Sequence, residues 1–211
     1  MNGKDTKQRI LFEALRLFAR DGYEAVSVKS IAAAVGIRAP SLYKHYRSKR
    51  EIFDSILREM ERRDAENAER FSLPTQTKEA APGTYEGVSA EAVMAFCEQM
   101  FRYWTQDEFA AAFRRMLTVE QYRSGEMNAL YHQYLGTGPL QYTADLLGSE
   151  EAALALYAPM HLLYGAADSA DNPEEVCRML THYLEAWCKQ YCAGASPDIN
   201  AWRRQYELSA E

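Results

Sequence analysis

The chain has 211 residues, of which 47% are hydrophobic and 26% charged, the balance of an ordinary globular protein with room for one large domain or a small one joined to a medium one. Four cysteines, Cys97, Cys177, Cys188 and Cys192, are too few and too unevenly placed for a disulfide framework. Met1-Asn-Gly-Lys-Asp5 leads into a charged amphipathic segment rather than a signal peptide, so a reduced, cytoplasmic protein is expected. The net charge of −6 conceals an asymmetry: residues 1–50 hold 11 Lys and Arg against 4 Asp and Glu. A basic N-terminal unit on an acidic body suits a polyanion partner, although a solvated basic surface has the same composition.

In chain order, the first predicted helix runs from about Asp5 to Arg20, with Ile10, Ala14, Leu17 and Phe18 at helical spacing and Gly22 as its stop. Ser27 caps a second helix whose inward face is Ile31, Ala32 and Val35, and Gly36 ends it. A short third helix spans about Pro40 to Tyr46, with Pro40 in a first turn where a missing amide costs no bond. Ser48-Lys-Arg-Glu51 is a capping box that opens a fourth helix to about Phe71, carrying Ile52, Phe53, Ile56, Leu57 and Met60 on one face.

Residues 72–89 contain prolines and glycines without apolar periodicity and read as a loop or linker. Beyond them Ala90–Trp104, Asp107–Leu117, Ser124–Leu135 and Leu140–Leu147 favour helix, and no stretch alternates as a strand would. The 16 residues from Ala152 to Ala167 carry no formal charge, too few for a membrane span. A helix apolar nearly all round needs cover on every side. Together with a partner helix from Asn172 to about Tyr191, it is expected to pair with a second copy in a four-helix dimer interface. The fold class expected is all-α: a three-helix, helix-turn-helix head (1–50) on a helical effector-binding and dimerisation body (51–211).

The head has the chemistry of a duplex reader. A small residue, Ala32, suits the helix crossing and Gly36 suits the turn. Ala39, Pro40, Ser41 and Tyr43 are short or flat enough to enter a major groove, and Lys44, His45, Arg47 and Lys49 surround them as phosphate partners. Leu42 and Tyr46 are expected in the core, and an ordinary helical pair would bury Tyr43 as well. Lys29, Arg38 and Lys44 are candidates for reading guanine.

Leu17-Phe-Ala-Arg-Asp-Gly-Tyr23, Ser27-Val-Lys-Ser-Ile-Ala-Ala-Ala-Val-Gly-Ile37 and Ser41-Leu-Tyr-Lys-His-Tyr-Arg-Ser-Lys-Arg-Glu51 together resemble the TetR family of transcriptional regulators over about the first 55 residues. The resemblance implies an all-α homodimer binding a palindromic operator, with a body pocket whose effector alters the distance between heads. It implies base or backbone contacts at Lys29, Ala39, Pro40, Tyr43 and His45, and phosphate contacts at Ser27, Ser41 and Lys49. Arg38 departs from the pattern, standing where the family often has a Ser or Thr cap.

In the body, 13 of the 25 aromatic residues fall between Tyr85 and Tyr164, a concentration that suggests an aromatic pocket as well as a core. Tyr103, Trp104, Phe109, Phe113, Met116, Tyr122, Tyr131, Tyr134, Tyr142, Tyr157 and His161 are its candidate lining, for a small-molecule effector that is flat, cationic or partly polar. Cys188 and Cys192 share a helix face with Cys177, a spacing open to thiol sensing. Without a close-spaced histidine, buried interface cysteines are expected instead. No cofactor, metal or membrane partner is expected. There is no nucleophile elbow, phosphate loop or zinc-protease motif, so an enzyme is not expected. The expected function is DNA-binding repression released by an effector; an activator, an all-α enzyme, or a ligand-binding or scaffold protein without sequence-specific DNA binding are the alternatives.

Overall fold

A computed structural model describes residues 3–71 and 90–191, and among these every regular element is helical. The all-α expectation is met. The expected loop at 72–89 and Cys192 lie outside the described residues. Contacts divide the chain into two units, Met1–Leu73 with Asp107–Gly136, and Pro74–Gln106 with Thr137–Glu211.

The first unit contains α1 (Gly3–Asp21), α2 (Val28–Val35), α3 (Ala39–Leu42), α4 (Lys49–Phe71), α6 (Glu108–Glu120) and α7 (Gly125–Tyr134). Its core follows the expected stripe except at Leu17 and Leu57, which are only half-buried: Ile10, Ala14, Leu15 and Phe18 of α1 meet Ile31, Ala32 and Val35 of α2 and Ile52, Phe53, Ile56 and Met60 of α4. Local chemistry sets each boundary. Gly22 leaves α1 with φ +84°, a left-handed turn that disfavours any side chain. Ser27 accepts the Ser30 amide at 3.0 Å, and Ser30 Oγ accepts the Ser27 amide in return. Gly36, at φ +75°, ends α2 by donating to the carbonyls of Ala32 and Ala33. At the start of α4 the Glu51 amide donates to Ser48 Oγ, and the Glu51 carboxylate accepts the Arg47 amide at 2.6 Å.

The third helix is shorter than its sequence suggests, Ala39–Leu42 rather than Pro40–Tyr46. After Leu42 the bonds tighten to the i→i+3 type, Lys44 to Ser41 and His45 to Leu42. Arg38 occupies the N-cap position and makes no side-chain cap bond. The burial of Leu42 and Tyr46 holds this element down instead.

The second unit contains α5 (Ala90–Gln106), α8 (Thr137–Leu147), α9 (Glu150–Ser169) and α10 (Pro173–Tyr191). α8 begins three residues before the expected Leu140 because Pro139 sits in its first turn, where no amide bond is lost. α9 continues through Pro159. The proline has no amide for the Ala155 carbonyl, and the Tyr183 hydroxyl of α10 donates to that carbonyl in its place. Trp187 Nε1 donates to the Ala152 carbonyl at 3.0 Å, joining the same two helices one turn away. Among the described residues no helix is long and apolar enough to cross a membrane.

Candidate nucleic-acid interface

The segment from Ser27 to Lys49 contains all ten residues expected to meet DNA. Tyr43 is the decisive one, because an ordinary helical pair would bury it; it is 53% exposed, next to fully buried Leu42. The i→i+3 turn after Leu42 carries Tyr43 and Lys44 outward and returns Tyr46 to the core, where its hydroxyl faces the Lys7 carbonyl at 3.4 Å. Pro40 and Lys44 are exposed, while Ala39, Ser41 and His45 are half-buried. Lys29, Arg38, Lys44 and Arg47 are exposed and make no ion pair among the described residues, leaving four cations in the segment from α2 to the start of α4. Ser27 is exposed, with its hydroxyl engaged in the α2 cap.

Lys49 is placed differently. Its Nζ donates to the carbonyls of Tyr23 and Glu24 at 2.7 and 3.3 Å and lies 4.2 Å from the centre of the Tyr23 ring. The ammonium is therefore engaged inside the head.

Two further residues join helices outside the head to it, Glu120 at the turn before α2 and Glu126 at the start of α4. Glu120, at the C-terminal end of α6, is 2% exposed, and its Oε1 accepts the Tyr23 amide at 2.9 Å. Glu126, in the first turn of α7, takes both terminal nitrogens of Arg50 at 2.6 and 2.8 Å, which holds its carboxyl below the usual range. Sequence reading missed both. The available signal was Glu120 itself: it follows Phe109, Phe113, Met116 and Leu117 at core spacing, so a carboxylate occupies a core position.

The expected effector lining is distributed over both units. In the first, Phe109, Phe113 and Met116 are buried, and Phe113 packs edge-on to Tyr134 with centroids 5.0 Å apart. Tyr131 and Tyr134 are half-buried. In the second, Trp104 is buried against Tyr103 at 5.5 Å, Tyr142 is half-buried, and half-buried Tyr157 lies 6.1 Å from His161. Two candidates do not fit a lining role in the chain as described. Tyr122 is 88% exposed in the turn after α6, and His161 lies on the open face of α9. Cys97, Cys177 and Cys188 are buried free thiols, and burial pushes Cys97 up to about 12 and raises Cys177. Such thiols are poor nucleophiles.

The profile of the family described as bacterial regulatory proteins, tetR family, matches residues 10–56. The chain is 35% identical over 83 residues to the uncharacterised HTH-type transcriptional regulator YezE of Bacillus subtilis, covering 38% of this chain and 43% of that protein. It is 43% identical over 58 residues to the HTH-type transcriptional repressor KstR2 of Rhodococcus jostii, covering 27% and 28%. The matches thus span less than half of each of these relatives. Among solved structures, Mycobacterium smegmatis AmtR aligns over 100% of this chain and 98% of its own, with a TM-score of 0.61 at 16% identity. A TetR-like transcriptional regulator from Rhodococcus sp. RHA1 aligns over 92% and 100%, with a TM-score of 0.61 at 22% identity. At these identities the structural likeness speaks for the fold.

Proposed function

We propose, from the match of its head to the tetR family, that the chain is a TetR-type transcriptional regulator and a homodimeric repressor of a palindromic operator, released by a small molecule. The observation that carries the DNA-binding part is the exposed Tyr43 in a segment whose Lys29, Arg38, Lys44 and Arg47 are exposed and make no ion pair among the described residues. In this reading Ala39, Pro40, Ser41 and Tyr43 enter the major groove, His45 and the cations flank them, and Ser27 meets phosphate. Lys49 acts by holding the Tyr23–Glu24 turn.

The dimer is supported by what α9 and α10 leave uncovered. Leu154, Ala158, His161, Leu162 and Gly165 line one exposed face of α9, with Leu162 76% exposed, and Met179 is an exposed apolar residue of α10. A second copy presenting the same two helices would cover these faces in a two-fold bundle. For the effector, the aromatic residues of α6 and α7 are the favoured contact, because these helices belong to the same unit as the head. Release follows if the effector binds a head geometry that does not fit the operator better than the one that does.

Selection from random-sequence duplexes with the purified protein tests this reading. It predicts enrichment of a palindrome whose half-sites are about one helical repeat, roughly 34–36 Å, apart. Removing a phosphate partner such as Lys44 (Lys44→Ala) then lowers the salt slope of binding by about one. Recovery of no palindrome would contradict it.

A further inference from the structure

We propose that Glu120 is a positioning residue for DNA binding: by accepting the Tyr23 amide it holds the turn between α1 and α2, and with it the head, in the arrangement that fits a duplex. The inference rests on the DNA-binding reading above, and it concerns a residue outside both the head and the matched stretch 10–56.

Tyr23 is a junction. Its amide donates to Glu120 of α6, and its carbonyl accepts from Lys49 of α4. Its ring packs against Phe18 of α1 and Phe53 of α4 at 5.1 and 5.3 Å, and four residues later the chain reaches Ser27, the cap of α2. The turn therefore touches α1, α4 and α6 together, and its place fixes where α2 begins. The fit around Glu120 is close. A Cβ at Gly22 would lie 2.9 Å from Glu120 Oε1, so this left-handed glycine also makes room for the carboxylate.

Two other ties join α4 to α7 and to α6. Arg50 of α4 grips Glu126 of α7, and Arg63 of α4 lies 4.4 Å from the Phe109 ring of α6 and 3.3 Å from Asp107. Glu120 is the one of the three that reaches the turn before α2. A buried acceptor serving a part-buried amide is costly to remove, because the amide then loses its partner within the fold. The turn would relax and only a fraction of heads would remain competent, weakening apparent affinity by that fraction.

The sign of the effect separates this role from charge alone. Deleting a carboxylate from a unit that binds a polyanion should tighten binding by removing repulsion. A positioning role predicts weakening, and it predicts that the acceptor's reach matters more than its charge. Glu120→Gln keeps an oxygen at the same reach without the charge; Glu120→Asp keeps the charge and withdraws the oxygen by one methylene.

The test measures equilibrium binding of the full-length wild type, Glu120→Gln, Glu120→Asp and Glu120→Ala to the selected palindrome and to a random-sequence duplex, across a salt series. The expected result is Glu120→Gln close to wild type, with Glu120→Asp and Glu120→Ala weaker by about tenfold as the competent fraction falls to roughly a tenth. The salt slope should be unchanged, since no phosphate contact is lost. Faster hydrogen exchange at the Tyr23 amide should accompany the weaker variants. If Glu120→Ala does not fold, the Gln and Asp pair decides. Glu120→Asp binding as tightly as wild type, or Glu120→Gln falling as far as Glu120→Asp, overturns the inference. If wild type selects no palindrome, the repressor reading fails while the same ordering on random duplex still judges Glu120. Wild type that binds neither duplex overturns both.

Discussion

Lys49 reaches back from the first turn of α4 to donate its Nζ proton to the Tyr23 carbonyl at 2.7 Å, with its ammonium 4.2 Å from the centre of the same residue's ring. One cation thus satisfies a turn carbonyl and an aromatic face, and its bond to the Glu24 carbonyl at 3.3 Å completes the hold. The nearby Glu24 carboxylate, at 3.9 Å and largely exposed, adds little.

Replacing Lys49 by methionine keeps the apolar stem and removes the donors. Head stability should fall by about 1–2 kcal/mol, from the hydrogen bonds and the ring contact together. The salt slope of DNA binding should stay at the wild-type value, because the ammonium is spent within the head. A slope lower by about one in Lys49→Met would put the ammonium on phosphate instead.

The repair of α9 makes a second expectation. Tyr183→Phe leaves the Ala155 carbonyl with neither the hydroxyl nor an amide from Pro159. A cost of about 1 kcal/mol is expected, seen as a fall in melting temperature of roughly 2–4 °C. Pro159→Ala restores an amide to that carbonyl, so Tyr183→Phe should cost less in its presence. An equal cost in both backgrounds would mean that the hydroxyl does not replace the amide.

Asp64 gives a pH dependence. Burial, and secondarily the charge of Glu61, pushes its carboxyl up to about 7 from 3.8. The folded state therefore keeps a proton that the unfolded chain releases near 4, and stability falls as pH rises from about 4 to about 7. Asp64→Asn lacks this penalty. Its melting temperature should match wild type near pH 4 and exceed it by roughly 2–4 °C above pH 7, the gap being kept modest because solvent reaches part of the carboxyl. A gap that narrows with rising pH would contradict the assignment.

Much of the head was legible because its signals are local. Ser27, Gly36 and the Ser48–Glu51 box each act within four residues, and their expected roles reappear in the bonds they make. The exposure of Tyr43 between buried Leu42 and Tyr46 also follows from spacing along one short element. What escaped was long-range or a matter of degree. No local pattern joins Tyr23 to Glu120 across 97 positions, or Arg50 to Glu126 across 76. The tightening after Leu42 depends on tertiary burial of Tyr46 rather than on helix propensity. Composition alone collected the aromatic residues between Tyr85 and Tyr164 into a single pocket, whereas contacts assign them to two units.

The most direct measurement is the ratio of affinities for the selected palindrome and a scrambled duplex, taken at one salt concentration for wild type and Tyr43→Ala. The account predicts a wild-type ratio of about 10³ or more, collapsing toward one in Tyr43→Ala while the protein stays folded. A wild-type ratio near one, or a ratio unmoved by the substitution, would contradict the placement of this element in the groove.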